Sequence, residues 1–141
     1  MDNEKLLVNL LINNADIVSA ELELLEELPG ELDVMGINLN IDGQISCFKG
    51  ENFFDASLTL RKELEKRNML ILCNGAAENV YPSTMQLAMG DGRLAYKMYL
   101  GQQARMVDLV DIFEYDKSLD FVSVETQLKF YDKWIKNIMK S

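Results

Sequence analysis

The chain has 141 residues, 48% of them hydrophobic and 26% charged, with 23 acidic and 14 basic side chains, a net charge of −9 and no histidine. A chain of this size can bury one core without a metal or disulfide to hold it, and its composition excludes wholesale disorder. The missing histidine removes the usual general base and the commonest metal ligand, while the net negative charge repels nucleic acid and anionic membrane.

The charge is confined to the first third. Residues 1–48 hold ten acids against Lys5 alone and so carry the whole −9, whereas residues 49–141 hold 13 side chains of each sign. A field concentrated in this way speeds encounter with a cationic partner; alternatively it is a solvated face that keeps the protein in solution. The opening MDNEKLLVNLLINNAD places acids before a short apolar run that Asn9, Asn13 and Asn14 interrupt. It lacks the basic start and unbroken apolar centre of a signal peptide, and no stretch is long enough to cross a bilayer. The expectation is a cytoplasmic protein whose Cys47 and Cys73 stay reduced.

In chain order, Glu4–Asn14 fits a helix with Leu7, Leu10 and Leu11 on one face, and its shortness leaves a strand open. Val18, Ala20, Leu22 and Leu24 alternate with Ser19, Glu21 and Glu23, the period of a strand with carboxylates on its outer face. After the break at Leu28-Pro29-Gly30, Val34–Ile41 and Gln44–Phe48 read as a hairpin about the strong turn signal Asp42-Gly43. Phe53–Arg67 then has helical spacing, with Phe53, Ala56, Leu60 and Leu64 on one stripe, Arg61–Glu65 and Glu63–Arg67 as i,i+4 pairs, and Asn52 or Asp55 at its start. Met69–Cys73, apolar on both faces, reads as a central strand.

Between Met69–Cys73 and the apolar runs Leu94–Leu100 and Met106–Phe113 lies the Gly/Pro-punctuated segment Asn74–Arg93, too long for a simple turn. The last helix starts at Ser123 and presents Val124, Leu128, Tyr131, Ile135 and Ile138, with Lys129, Lys133, Lys136 and Lys140 on a separate stripe. It is expected to dock on the sheet, with Trp134 near the edge of that contact. These elements make an α+β fold, a single domain over residues 1–141 whose mainly antiparallel sheet is flanked by two or three helices.

The candidates for chemistry are few. Two cysteines make no zinc set, and Asp108 and Asp111 lack calcium-loop spacing, so no metal or cofactor is expected. Cys73 sits at the end of an apolar strand, but no histidine or evident cation lowers its pKa for nucleophilic work. Gly90-Asp91-Gly92-Arg93 is a fragment of a phosphate loop at most, and it precedes a strand rather than a helix. The structural reading is a tight turn with Arg93 anchored to a carboxylate, Gly75, Gly90, Gly92 and Pro82 shaping the loop. Met85 and Met89, if exposed, form an adaptable apolar patch beside Tyr81.

The string Leu72-Cys73-Asn74-Gly75-Ala76, Asn79-Val80-Tyr81-Pro82-Ser83, Met85, Met89-Gly90, Gly92-Arg93, Ala95-Tyr96, Leu100-Gly101 and Val110-Asp111-Ile112-Phe113 resembles a group of small bacterial immunity proteins. That group belongs to polymorphic-toxin and contact-dependent growth inhibition loci. Thr84 stands where the pattern has glycine, and Phe130–Lys136 matches more loosely. The resemblance implies a cytoplasmic protein, not an enzyme, that binds a cognate toxin domain and covers its active site or substrate surface. A basic toxin such as a nuclease would suit an acidic inhibitor. The contact residues expected on that reading are Glu21, Glu23, Glu26, Glu27, Tyr81, Met85 and Met89, in a protein that is monomeric or a weak homodimer. The alternative is a small enzyme or nucleotide binder using the 74–93 loop with Cys73 or Arg93.

Overall fold

In the computed structural model, which describes residues 3–139, the chain opens with a hairpin. Strand β1 (Glu4–Ile12) pairs antiparallel with β2 (Asp16–Leu25) along its whole length, from Glu4 opposite Leu24 to Ile12 opposite Asp16. The helical option for Glu4–Asn14 is therefore wrong. The connection is the three residues 13–15: Asn13 and Asn14, at φ 51 and 57, make the bend in which Ala15 N donates to Ile12 O at 3.0 Å, and Ala15 is the extra residue before Asp16 pairs with Ile12. With period two in force, Val8 and Leu10 enter the core while Leu7 is 80% exposed on the opposite face.

The second hairpin joins β3 (Met35–Ile41) to β4 (Gln44–Gly50) across Asp42 and Gly43, whose φ values of 51 and 87 explain why a residue tolerant of positive φ and a glycine stand there. Helix α1 (Phe53–Lys66) follows, capped by Asn52, whose Oδ1 accepts from Asp55 N at 2.9 Å. Its Phe53, Phe54, Ala56, Leu60 and Leu64 pack on Val8, Leu10, Leu22, Ile37 and Leu39 of the sheet to form the core. Truncating any of the fully buried leucines costs about 2–5 kcal/mol.

β5 (Met69–Ile71) completes the first sheet in the order β4-β3-β2-β1-β5. It is a short edge strand, not the central one expected. Leu72 N still donates to Asn9 O at 2.9 Å, but Asn74–Ala76 then form a tight helical turn, where Asn74 N and Gly75 N donate to Glu114 O at 2.7 Å and Ile112 O at 2.8 Å. The run is apolar on both sides because it is the seam between the first sheet and a second one.

That second sheet is small: β6 (Val80–Tyr81), β7 (Leu94–Lys97) and β8 (Leu109–Asp111), ordered β6-β7-β8 and antiparallel. The short helix α2 (Thr84–Ala88), capped by Ser83 Oγ on Gln86 N at 3.1 Å, lies between β6 and β7. β7 stops before Met98, whose N donates to Asn79 O at 2.7 Å, and Met106–Asp108 coil into a tight turn, so both expected strands are shorter than their apolar runs. Helix α3 (Val124–Met139) starts at Ser123, whose Oγ accepts from Thr126 N at 3.1 Å.

Two further expectations change. Arg61 does not pair with Glu65 on the surface; it turns inward and is 2% exposed, while Glu65 accepts from Val124 N at 3.0 Å and so caps α3. The stripe by which α3 docks runs through Gln127, Tyr131 and Trp134, with Leu128 left 47% exposed, and it meets α1, the 75–77 and 99–102 segments and Val80 and Tyr81, which form one strand of the smaller sheet, rather than the main sheet. Glu63–Arg67 does form, at 3.3 Å. Asp2 and Lys140 lie outside the described residues. The result is a single α+β domain with a curled antiparallel main sheet.

Candidate protein-binding surface

The 74–93 segment is held from two sides. On the inner side, Gln127 Nε2 donates to the carbonyls of Gly75, Ala77 and Val80 at 2.8, 2.9 and 2.8 Å, and its Oε1 accepts from Arg61 Nη1 at 2.6 Å. Arg61 also donates to Gly75 O at 3.1 Å and Val122 O at 3.0 Å. No carboxylate lies in ion-pair contact with it among the described residues, and burial pulls the guanidinium below its ordinary pKa. Sequence reading missed this anchor. The signal was present: Phe54, Ser57, Arg61 and Leu64 share one helical stripe, as do Val124, Gln127, Tyr131 and Trp134, and each stripe carries a long polar side chain among apolar or aromatic ones.

On the outer side, Arg93 Nε donates to Asp111 Oδ2 at 2.9 Å and its terminal nitrogens pair with both oxygens of Glu4 on β1, so one guanidinium joins the two sheets. Phe113 lies under it, 5.9 Å from the ring centroid. These partners raise the guanidinium well above its ordinary value, and the hydrogen bond from Arg93 is the main cause of a lowered Glu4 carboxyl. The glycines serve close approach. A Cβ on Gly75 would stand 2.9 Å from Ile112 Cβ, and one on Gly92 would stand 2.5 Å from the capping oxygen of Asn52. Gly90 would meet Gln86 O at 3.1 Å, and Pro82 is fully buried under the loop.

The expected contact residues separate into three places. Glu21 and Glu23 lie on the uncovered face of the main sheet, where Glu23 accepts from Asn38 Nδ2 at 3.0 Å. Glu26 and Glu27 are exposed just past the end of β2; with Glu4 and Arg93 they line one recess, and with Glu31, Asp33 and Glu51 another. Glu31 is paired with Lys49 at 2.8 Å, but no ion pair among the described residues reaches Glu26, Glu27, Asp33 or Glu51. Tyr81 is occupied: it stacks on Tyr131 at 3.9 Å and meets the edge of Phe54. Met85 on α2 and Met89 at its C-terminal cap are 66% and 83% exposed.

These last two groups share one end of the molecule. Gly92 N donates to Gln86 O of α2 at 3.2 Å, and Arg93, one residue on, lines the recess with Glu26 and Glu27. An acidic rim and an apolar methionine pair thus flank the Gly90–Arg93 turn. Cys73 faces inward: burial, against the opposing pull of Arg61, pushes its thiol up to about 12, a neutral and packed group at physiological pH. No helix of the described residues is long and apolar enough to cross a membrane. No protein-family model matches the chain, and no curated protein matches it.

Proposed function

We propose that the protein is an immunity-type inhibitor that binds a basic toxin domain in the cytoplasm, with the Glu26–Glu27 rim and the Met85–Met89 pair as its contact surface. The supporting observation is that Glu26, Glu27, Asp33 and Glu51 have no ion-pair partner among the described residues and stand across one turn from exposed methionines. A charged rim around a flexible apolar anchor is the arrangement of a protein interface. The rim sets encounter and specificity, and the buried apolar contact sets lifetime. Glu21 and Glu23, on the sheet face, add to the long-range field. Tyr81 contributes by packing β6 against α1 and α3 through its ring contacts rather than by inserting into the partner.

The reading implies a toxin-like domain encoded directly upstream, and surface plasmon resonance against that domain is the test. Lysine at Glu26 and Glu27 should slow association and flatten its salt dependence, because steering acts over a Debye length of about 8 Å at physiological salt. Serine at Met85 and Met89 should speed dissociation instead. Absence of binding to that domain would sink the reading.

A further inference from the structure

β4 forms one edge of the main sheet. The two-residue turn at Asp42-Gly43 puts Ile41 and Gln44 in a hydrogen-bonded pair, so the main chain of Gln44, Ser46, Phe48 and Gly50 faces β3 while that of Ile45, Cys47 and Lys49 faces away. Lys49 O is already taken, accepting from Thr59 Oγ1 at 3.4 Å. Ile45 and Cys47 are both exposed, and among the described residues no hydrogen bond reaches their main chain from beyond the sheet. Helix α1 covers this edge only at its Lys49–Gly50 end; from Gln44 to Cys47 β4 has no proline, no charge and no break in register, and Lys49 itself is paired with Glu31.

We infer that β4 pairs antiparallel with β4 of a second copy of this chain, joining the two main sheets into one. A strand set against its own antiparallel copy matches donors to acceptors throughout. In one register, Ser46 faces Ser46 of the second copy and Ile45 faces its Cys47; all outward N–H and C=O groups of Ile45 and Cys47 are then satisfied and nothing is asked of Lys49. Charge selects the occupant. From Gly43 to Gly50 there is no carboxylate, although residues 1–48 carry −9, so two like-charged copies can approach along this strand. Antiparallel pairing also sends the two Glu26–Glu27 rims to opposite ends of the dimer. A basic foreign strand, by contrast, finds no acid on β4 to recognise.

Sedimentation velocity of the full chain, from low micromolar to near-millimolar concentration, should show a reversible dimer. Cys47→Pro deletes an outward donor and leaves the β3 ladder intact, so it should sediment as a monomer with the circular dichroism melt of the wild type. Ile45→Lys serves the same purpose if the proline variant fails to fold. In a Cys47→Ser background, Ser46→Cys places the introduced thiols directly opposite each other, with Cα atoms about 4.5 Å apart, within disulfide reach. Diamide should then give a cross-linked dimer on a non-reducing gel. The pairing is overturned if the wild type is monomeric at every concentration, if either edge variant dimerises like it, or if the introduced thiols titrate with Ellman's reagent but fail to cross-link.

Discussion

Arg61 and Arg93 each join parts of the chain far apart in sequence, one inside and one at the surface. Arg61 is 2% exposed and meets only neutral acceptors: two main-chain carbonyls and the amide of Gln127. Arg93, its side chain 26% exposed, meets the carboxylates of Glu4 and Asp111. The charged partners sit where water screens them. The neutral ones sit where a lost partner leaves a desolvated charge and several unpaired carbonyls. Burial, more than the formal charge of the partner, should therefore rank the two.

Gln127→Ala is the strongest way to break that ranking. It removes the shared donor of three buried carbonyls and the acceptor nearest the Arg61 guanidinium, at a cost of about 3–5 kcal/mol in chemical denaturation. Arg61→Met should cost less, because the charge leaves with its partners' claim on it and Gln127 still holds Gly75 O. An unchanged midpoint for the glutamine variant would show that the inner anchor does not matter.

Gly75→Ala tests the same anchor by volume rather than by charge. The added methyl would press on Ile112 at 2.9 Å, in a turn fixed by Gln127 and by the Gly75 N bond to Ile112 O, and about 1–3 kcal/mol should be lost. A melting temperature equal to that of the wild type would mean that the seam yields.

Arg93→Ala should cost about 1 kcal/mol at neutral pH, since Glu4 is nearly half exposed and the pair is screened. Its pH dependence separates it from the inner anchor. The folded Glu4 carboxyl is lowered, so its contribution is present above the ordinary carboxylate range and is lost as pH falls through the folded value. The stability gap between wild type and Arg93→Ala should close in acid, and a gap that widens would refute the pairing. The smallest effect belongs to the exposed rim: Glu26→Lys and Glu27→Lys should leave stability within about 0.5 kcal/mol, which makes them clean probes of binding.

What the sequence determined by itself was local. The alternation of Val18–Leu24, the Asp42-Gly43 turn, the cap at Ser123 and the helical spacing of Phe53–Arg67 are decided by φ preferences and hydrogen bonds spanning a few residues; each stands in the structure, which ends that helix at Lys66 and chooses Asn52 over Asp55 as its cap. The acidic first third was equally plain, being a matter of counting. Where these pieces lie was not. Whether Glu4–Ile12 is strand or helix turns on its pairing with β2, and Met69–Ile71 is an edge because the chain beyond it is claimed by Ile112 and Glu114, in the turn that follows β8 of the second sheet. Arg61 has the helix spacing of a surface partner for Glu65; only the arrival of Gln127, 66 residues on, gives its guanidinium an acceptor inside. A polar group can be buried only where its partner is buried with it, and that condition is met by packing between distant segments, not by neighbours along the chain.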